Sequence, residues 1–207
     1  MSNRSSKRYL TKSRFKLAVE CPTKLFYTGK PEYANTNNDD EFLAMLADGG
    51  FQVGELAKYL YPNGIEVKAK GVDEAIAETA ELLKQENITL FEPAIVFEGF
   101  LVRVDVLVKR GHVFEVIEVK AKSYSGDVSE MVGARGGIKS TYLAYLQDVA
   151  FQKYVVMHAF AGSTVTAHLL MPDKSKTATE NGLNQCFKVK RNGRHTDVLV
   201  DDRAKQA

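Results

Sequence analysis

Apolar and polar residues alternate along two adjoining stretches, Phe100-Leu-Val-Arg-Val-Asp-Val-Leu-Val-Lys109 and Val113-Phe-Glu-Val-Ile-Glu-Val-Lys120, and a period of two marks strands with one covered face. Arg110-Gly111 supplies a turn between them, so the two stretches read as one β-hairpin. Helical spacing dominates elsewhere. Leu10 to Tyr27 carries Phe15, Leu17, Ala18 and Val19 behind possible N-caps at Thr11 and Ser13, and Cys21-Pro22 divides it into two short helices. After a polar loop over 35–40, apolar residues from Phe42 to Leu60 recur at helical spacing, with a break expected at Gly49-Gly50 and an end at Pro62-Asn63-Gly64. A short strand over 65–68, a helix over 72–85, strands dominating 94–120, a helix from Ser140 to about Met157 and a strand over 164–171 follow. Phe187 to Arg191 and His195 to Val200, separated by Asn192-Gly193, predict a hairpin with a type I′ turn. This order predicts an α/β fold with a central mixed β-sheet flanked by helices. A single domain over 1–207 is expected, with 1–9 a flexible basic tail and 173–207 a loop plus the C-terminal hairpin.

Parity sets the faces of the first hairpin. With Arg110 and Gly111 as its loop, Lys109 pairs with His112, Asp105 lies opposite Val116, and Arg103 lies opposite Glu118. Asp105, Glu118 and Lys120 then share one face, while Val104, Val106, Ile117 and Val119 form an apolar core face. A three-residue loop would reverse the relation. Two acids and a lysine on a half-buried face are costly unless something uses their charge. A divalent cation is one such use: hard carboxylate oxygens at the ends of adjacent strands suit magnesium and leave positions for water and phosphate. Lys120 is then placed to orient the attacking water or to stabilise charge on the phosphorane oxygens. The competing reading is a solvated face on which Glu118 pairs with Arg103 or Lys120.

Composition narrows the classes. The 207 residues are 44% hydrophobic and 26% charged, ordinary for a globular chain, and a net charge of +2 is too small to mark a nucleic-acid binder by itself. Any basic footprint is therefore local. Residues 1–19 hold Arg4, Lys7, Arg8, Lys12, Arg14 and Lys16 and no acid, which suits contact with phosphates or a solvated tail. Only Cys21 and Cys186 are present, which excludes a disulfide framework or a four-thiolate site within one chain and fits a cytoplasmic location. The N-terminus has no apolar run of the kind a secretory signal needs, and the uncharged stretch Tyr154 to Pro172 reads as helix, turn and strand rather than a membrane span. The four histidines are scattered without metal-ligand spacing.

Val104-Asp105 followed by Val116-Ile117-Glu118-Val119-Lys120 resembles the metal-binding core of the PD-(D/E)xK nuclease superfamily, with valine in place of the proline. The flanks are similar to its RecB-like branch: Thr11-Lys-Ser-Arg-Phe15 with Cys21-Pro-Thr-Lys-Leu-Phe-Tyr27 upstream, and Asp148-Val-Ala-Phe-Gln152-Lys-Tyr154 downstream. The likeness is to the N-terminal nuclease part of a longer bacterial group, so the chain is expected to be a fragment or a stand-alone relative. The resemblance implies a restriction-endonuclease-like core and metal-dependent hydrolysis of DNA, single- or double-stranded. It implies Asp105, Glu118 and the backbone carbonyl of Val119 as ligands of magnesium or manganese. Lys120 would be the catalytic lysine, Gln152 a positioning residue and Glu55 the acid from an upstream helix. Lys12, Arg14, Lys122, Arg135 and Lys139 are the candidate phosphate contacts. The iron–sulfur members use four cysteines, so no cluster is expected here, and Cys21 is expected to pack as a small buried residue. The alternative is a DNA-binding or assembly module that keeps the fold without turnover.

Overall fold

Thr11 closes a two-residue strand and, through its side chain, accepts a hydrogen bond from the Arg14 N–H, so one residue ends extended backbone and starts a helix. The structure is a computed structural model that describes residues 8–30, 32–33, 41–192 and 195–205. The expected loop over 35–40, residues 1–7 of the expected basic tail and Gly193 of the expected Asn192-Gly193 turn lie outside the described residues, while Asn192 belongs to a strand. In chain order the elements are β1 Leu10–Thr11, α1 Lys12–Glu20, α2 Pro22–Tyr27, α3 Glu41–Lys58, β2 Ile65–Glu66, α4 Val72–Leu82, β3 Asn87–Phe91, β4 Ala94–Phe97 and β5 Phe100–Arg103. They continue with β6 Val106–Arg110, β7 Val113–Val119, α5 Ser140–Ala159, β8 Thr164–Leu170, β9 Phe187–Asn192 and β10 His195–Val200. The fold is mixed α/β, with a mixed sheet flanked by helices.

The chain forms two compact units. The first takes in the N-terminal segment to Tyr33, Ile65–Glu118 and Ala144–His168. Its main sheet has the order β2-β3-β6-β7-β8, with β2 parallel to β3 and β3, β6 and β7 antiparallel in turn. A smaller sheet has the order β1-β5-β4. The core lies where one face of the main sheet meets α5: Ile88, Leu90, Leu107, Phe114 and Val116 pack with Phe151, Val155 and Val156. Helix α1 docks beside them by stacking Phe15 on Phe151, ring centroids 4.5 Å apart. Lys109, at the outer end of β6, donates to the carbonyls of Leu83 (2.7 Å) and Gln85 (2.6 Å), which follow the end of α4.

In the second unit, β9 and β10 form an antiparallel ribbon from Phe187↔Val200 to Asn192↔His195. Gln52 of α3 donates to the Phe187 carbonyl at 2.7 Å, and Leu56 and Tyr59 pack against the buried Cys186, Phe187 and Ala204. No helix among the described residues is long and apolar enough to cross a membrane.

Four expectations need correction. Gly49-Gly50 does not break α3, which runs unbroken from Glu41 to Lys58 on an amphipathic pattern that continues across both glycines. The alternating stretch Phe100 to Lys109 is two strands in two sheets, and the chain changes sheet at Val104-Asp105. The hairpin turn is Gly111-His112, because Gly111 takes φ +55° at the first loop position, a conformation that glycine adopts without strain. Cys21 is half-buried and serves as the N-cap residue of α2, while Cys186 is the buried thiol. Strand β3 was not foreseen, although Ile88-Thr-Leu-Phe91 has strand composition.

Candidate functional site

The shifted turn changes the register but keeps its parity. Arg110 pairs with Val113 and Val106 with Ile117, and there the pairing ends, with Asp105 in a bend just before β6. A two-residue shift leaves every side chain of the paired strands on its own face. The expected core face is buried, with Val104, Val106 and Ile117 at 4% exposure or less, but the other face is more deeply covered than expected. Glu118 follows Phe114 and Val116 on the face that packs against α5 and is 1% exposed, far from the solvated position of the competing reading. Asp105 is half-buried at the change of sheet. Its carbonyl accepts from the Glu92 N–H at 3.3 Å, and the Val104 N–H donates to the Pro93 carbonyl at 3.2 Å, so backbone bonds hold the switch on both sides.

Buried charge needs partners, and Glu118 has strong ones. Lys12 Nζ lies 2.8 Å from Oε1 and 2.9 Å from Oε2, straddling the carboxylate, and Gln152 Nε2 donates to Oε2 at 2.6 Å. Arg103, one of its two expected partners, donates instead to the Ala69 carbonyl at 3.1 Å. The second donor of Gln152 goes to the Asp148 carbonyl one turn earlier, at 3.3 Å, and its buried Oε1 has no hydrogen-bond partner among the described residues. Asp148, fully buried, accepts from Lys16 Nζ at 3.2 Å. Two lysines one turn apart on α1 thus neutralise two buried carboxylates, one on β7 and one on α5. The sequence reading assigned Lys12 to phosphate and passed over Lys16 and Asp148. The four-residue spacing of Asp148 and Gln152, on the helix stripe that also carries Phe151 and Val155, was the signal that could have found them.

Val119 ends β7, and the Lys120 N–H donates to the Leu170 carbonyl at 2.9 Å. Glu55 sits on α3 in the second unit and pairs with Lys58 at 2.8 Å. Lys122 places its ammonium 4.0 Å from the centroid of the Tyr142 ring, Lys139 donates to the Ser129 carbonyl at 2.9 Å, and Arg135 is exposed in the glycine loop. Next to them, a hydrogen bond from Lys174, then one from Ser125, holds the Glu130 carboxyl below its usual range. Burial, then the charge of Glu130, pushes the Tyr142 hydroxyl up. Arg14 extends from α1 with its Nε buried and, among the described residues, without an acceptor.

Comparisons with family models, with curated proteins and with solved structures return no match to this chain. Among the described residues no group of three or more His, Cys, Asp or Glu side chains is arranged to hold a metal ion. Chemically, the site offers a buried carboxylate already matched to one positive charge.

Proposed function

We propose that the chain is a metal-dependent DNA nuclease built on a restriction-endonuclease-like core. The observation that carries this reading is the buried Glu118 of β7, straddled by Lys12 and fixed by Gln152 at 2.6 Å. The Asp followed by Glu-x-Lys on that hairpin, the upstream Cys-Pro segment and the downstream glutamine helix support it in the order of the resemblance. Asp105, Glu118 and the Val119 carbonyl would hold magnesium or manganese, which supplies an activated water and neutralises phosphate charge when bound. Gln152 orients the Glu118 carboxylate, and its unpaired Oε1 is a ready acceptor for a ligated water. Lys120 stabilises the charge that develops on the scissile phosphate. Lys12 neutralises Glu118 before the metal arrives and must release it.

One observation favours a second reading. Because Lys12 already meets both oxygens of Glu118, at 2.8 and 2.9 Å, the site is also complete as a purely internal ion pair, as a DNA-binding or assembly module without turnover would have it. Incubation with end-labelled single- and double-stranded DNA and manganese is expected to release short products, and chelator to stop their release. Asp105→Ala and Lys120→Ala should each keep the melting temperature and lose on the order of 100-fold in rate. Unchanged cleavage by both variants rules out this site, and absence of both cleavage and manganese binding decides for the second reading.

A further inference from the structure

Six basic residues lie between positions 8 and 33, and their partners divide them into two sets. Lys12 pairs with Glu118, Lys16 with Asp148 and Lys24 with Glu20. Arg8, Arg14 and Lys30 form no ion pair among the described residues, and all three line one cavity of about 440 Å³. Among the described residues no acid lines that cavity; Tyr9, Leu10, Pro22, Leu25 and Phe26 form the rest of its wall. Phe26 is 61% exposed, with the Lys30 ammonium 3.4 Å from its ring centroid. Tyr27 and Tyr33, also exposed, meet edge to face beside it at 4.6 Å. Arg14 Nε is buried without an acceptor among the described residues, and a buried guanidinium N–H is costly to leave unmatched.

We propose that this cavity binds one nucleotide of a single-stranded nucleic acid, its phosphate on Arg14, Arg8 and Lys30 and its base on Phe26. The three cations and the orphaned N–H call for an anion with several acceptor oxygens, and guanidinium groups suit phosphate. The exposed ring beside them calls for a flat partner, and cations next to aromatics are how single strands are held without regard to sequence. Binding needs neither a metal nor cleavage. The site would admit the DNA of the nuclease reading, yet it stands if that reading fails.

The test runs in chelator at low salt, by fluorescence anisotropy of end-labelled oligo(dT) and of an abasic deoxyribose-phosphate strand of equal length. Wild-type protein is expected to bind oligo(dT) saturably. Arg14→Gln, Phe26→Ala and removal of the bases should each weaken binding about tenfold, and Phe26→Ala should have no further effect on the abasic strand. If Arg14→Gln lowers the melting temperature, Lys30→Ala takes its place. No saturable binding, either variant within about twofold of wild type, or equal affinity for the abasic strand overturns the proposal.

Discussion

Replacing Lys12 by methionine removes the ammonium from both oxygens of Glu118 while keeping most of the stem that packs along α1. Glu118 is 1% exposed, so its charge would lose a partner that reaches both oxygens, while the Gln152 donor at 2.6 Å stays. Breaking a buried pair from one side costs about 3–5 kcal/mol. Lys12 is itself 26% exposed, so water can enter where it was, and about 3 kcal/mol is the appropriate figure here. Glu118→Gln alone leaves a lysine that can turn to solvent and should cost about 1 kcal/mol. The double variant leaves no buried charge at that position and should also lie about 1 kcal/mol below wild type, a coupling of about 3 kcal/mol. Urea unfolding followed by circular dichroism at neutral pH measures all four corners of the cycle. At about 2–4 °C per kcal/mol the Lys12→Met melting point should fall by about 6–12 °C. A coupling below about 0.5 kcal/mol would show that Lys12 does not neutralise Glu118, and the account of the site would fall with it.

The β4–β5 turn is Glu98-Gly99, with φ +42° and +87°, so Glu98 holds a left-handed conformation that asparagine tolerates better. Glu98→Asn should raise unfolding stability by about 0.5–1 kcal/mol; a loss in chemical denaturation would contradict the turn geometry. Glu130 gives a pH dependence. Its carboxyl is held below its ordinary value of 4.5, first by Lys174 and then by Ser125, so its contribution is present above that pH and fades as pH falls through the lowered value. The stability difference between wild type and Glu130→Gln should therefore shrink on acidification below pH 4.5, and a difference constant through that range would refute the pairing.

What the sequence disclosed was what is local. The Thr11 cap, the Pro22 start of α2, helices α4 and α5 and the pairing of β9 with β10 follow from caps, prolines and periodicity within a few residues of each other. The change of sheet at Val104-Asp105 left no such mark, since the apolar alternation runs through it without a glycine or proline. The turn was misplaced by one residue because both Arg110-Gly111 and Gly111-His112 contain the glycine, and only the φ at Gly111 tells them apart. At the site, the likeness of the α5 segment singled out Gln152, which meets Glu118. Burial of the acids was hidden, because the partners of Glu118 and Asp148 come from α1, and charge alternating with valine looks the same on a wet face as on one sealed by a distant helix.

Those partners have a consequence for how the chain assembles. Lys12 and Glu118 stand 106 residues apart and Lys16 and Asp148 132 apart, while β1 waits for β5. During synthesis from the N-terminus, α1 leaves the ribosome long before anything it neutralises exists. The sheet can begin to form from β3, β6 and β7, neighbours in sequence, but closing α1 over it pays a long loop's entropy and comes late. Until then two carboxylates and the Phe151 face lie open to water.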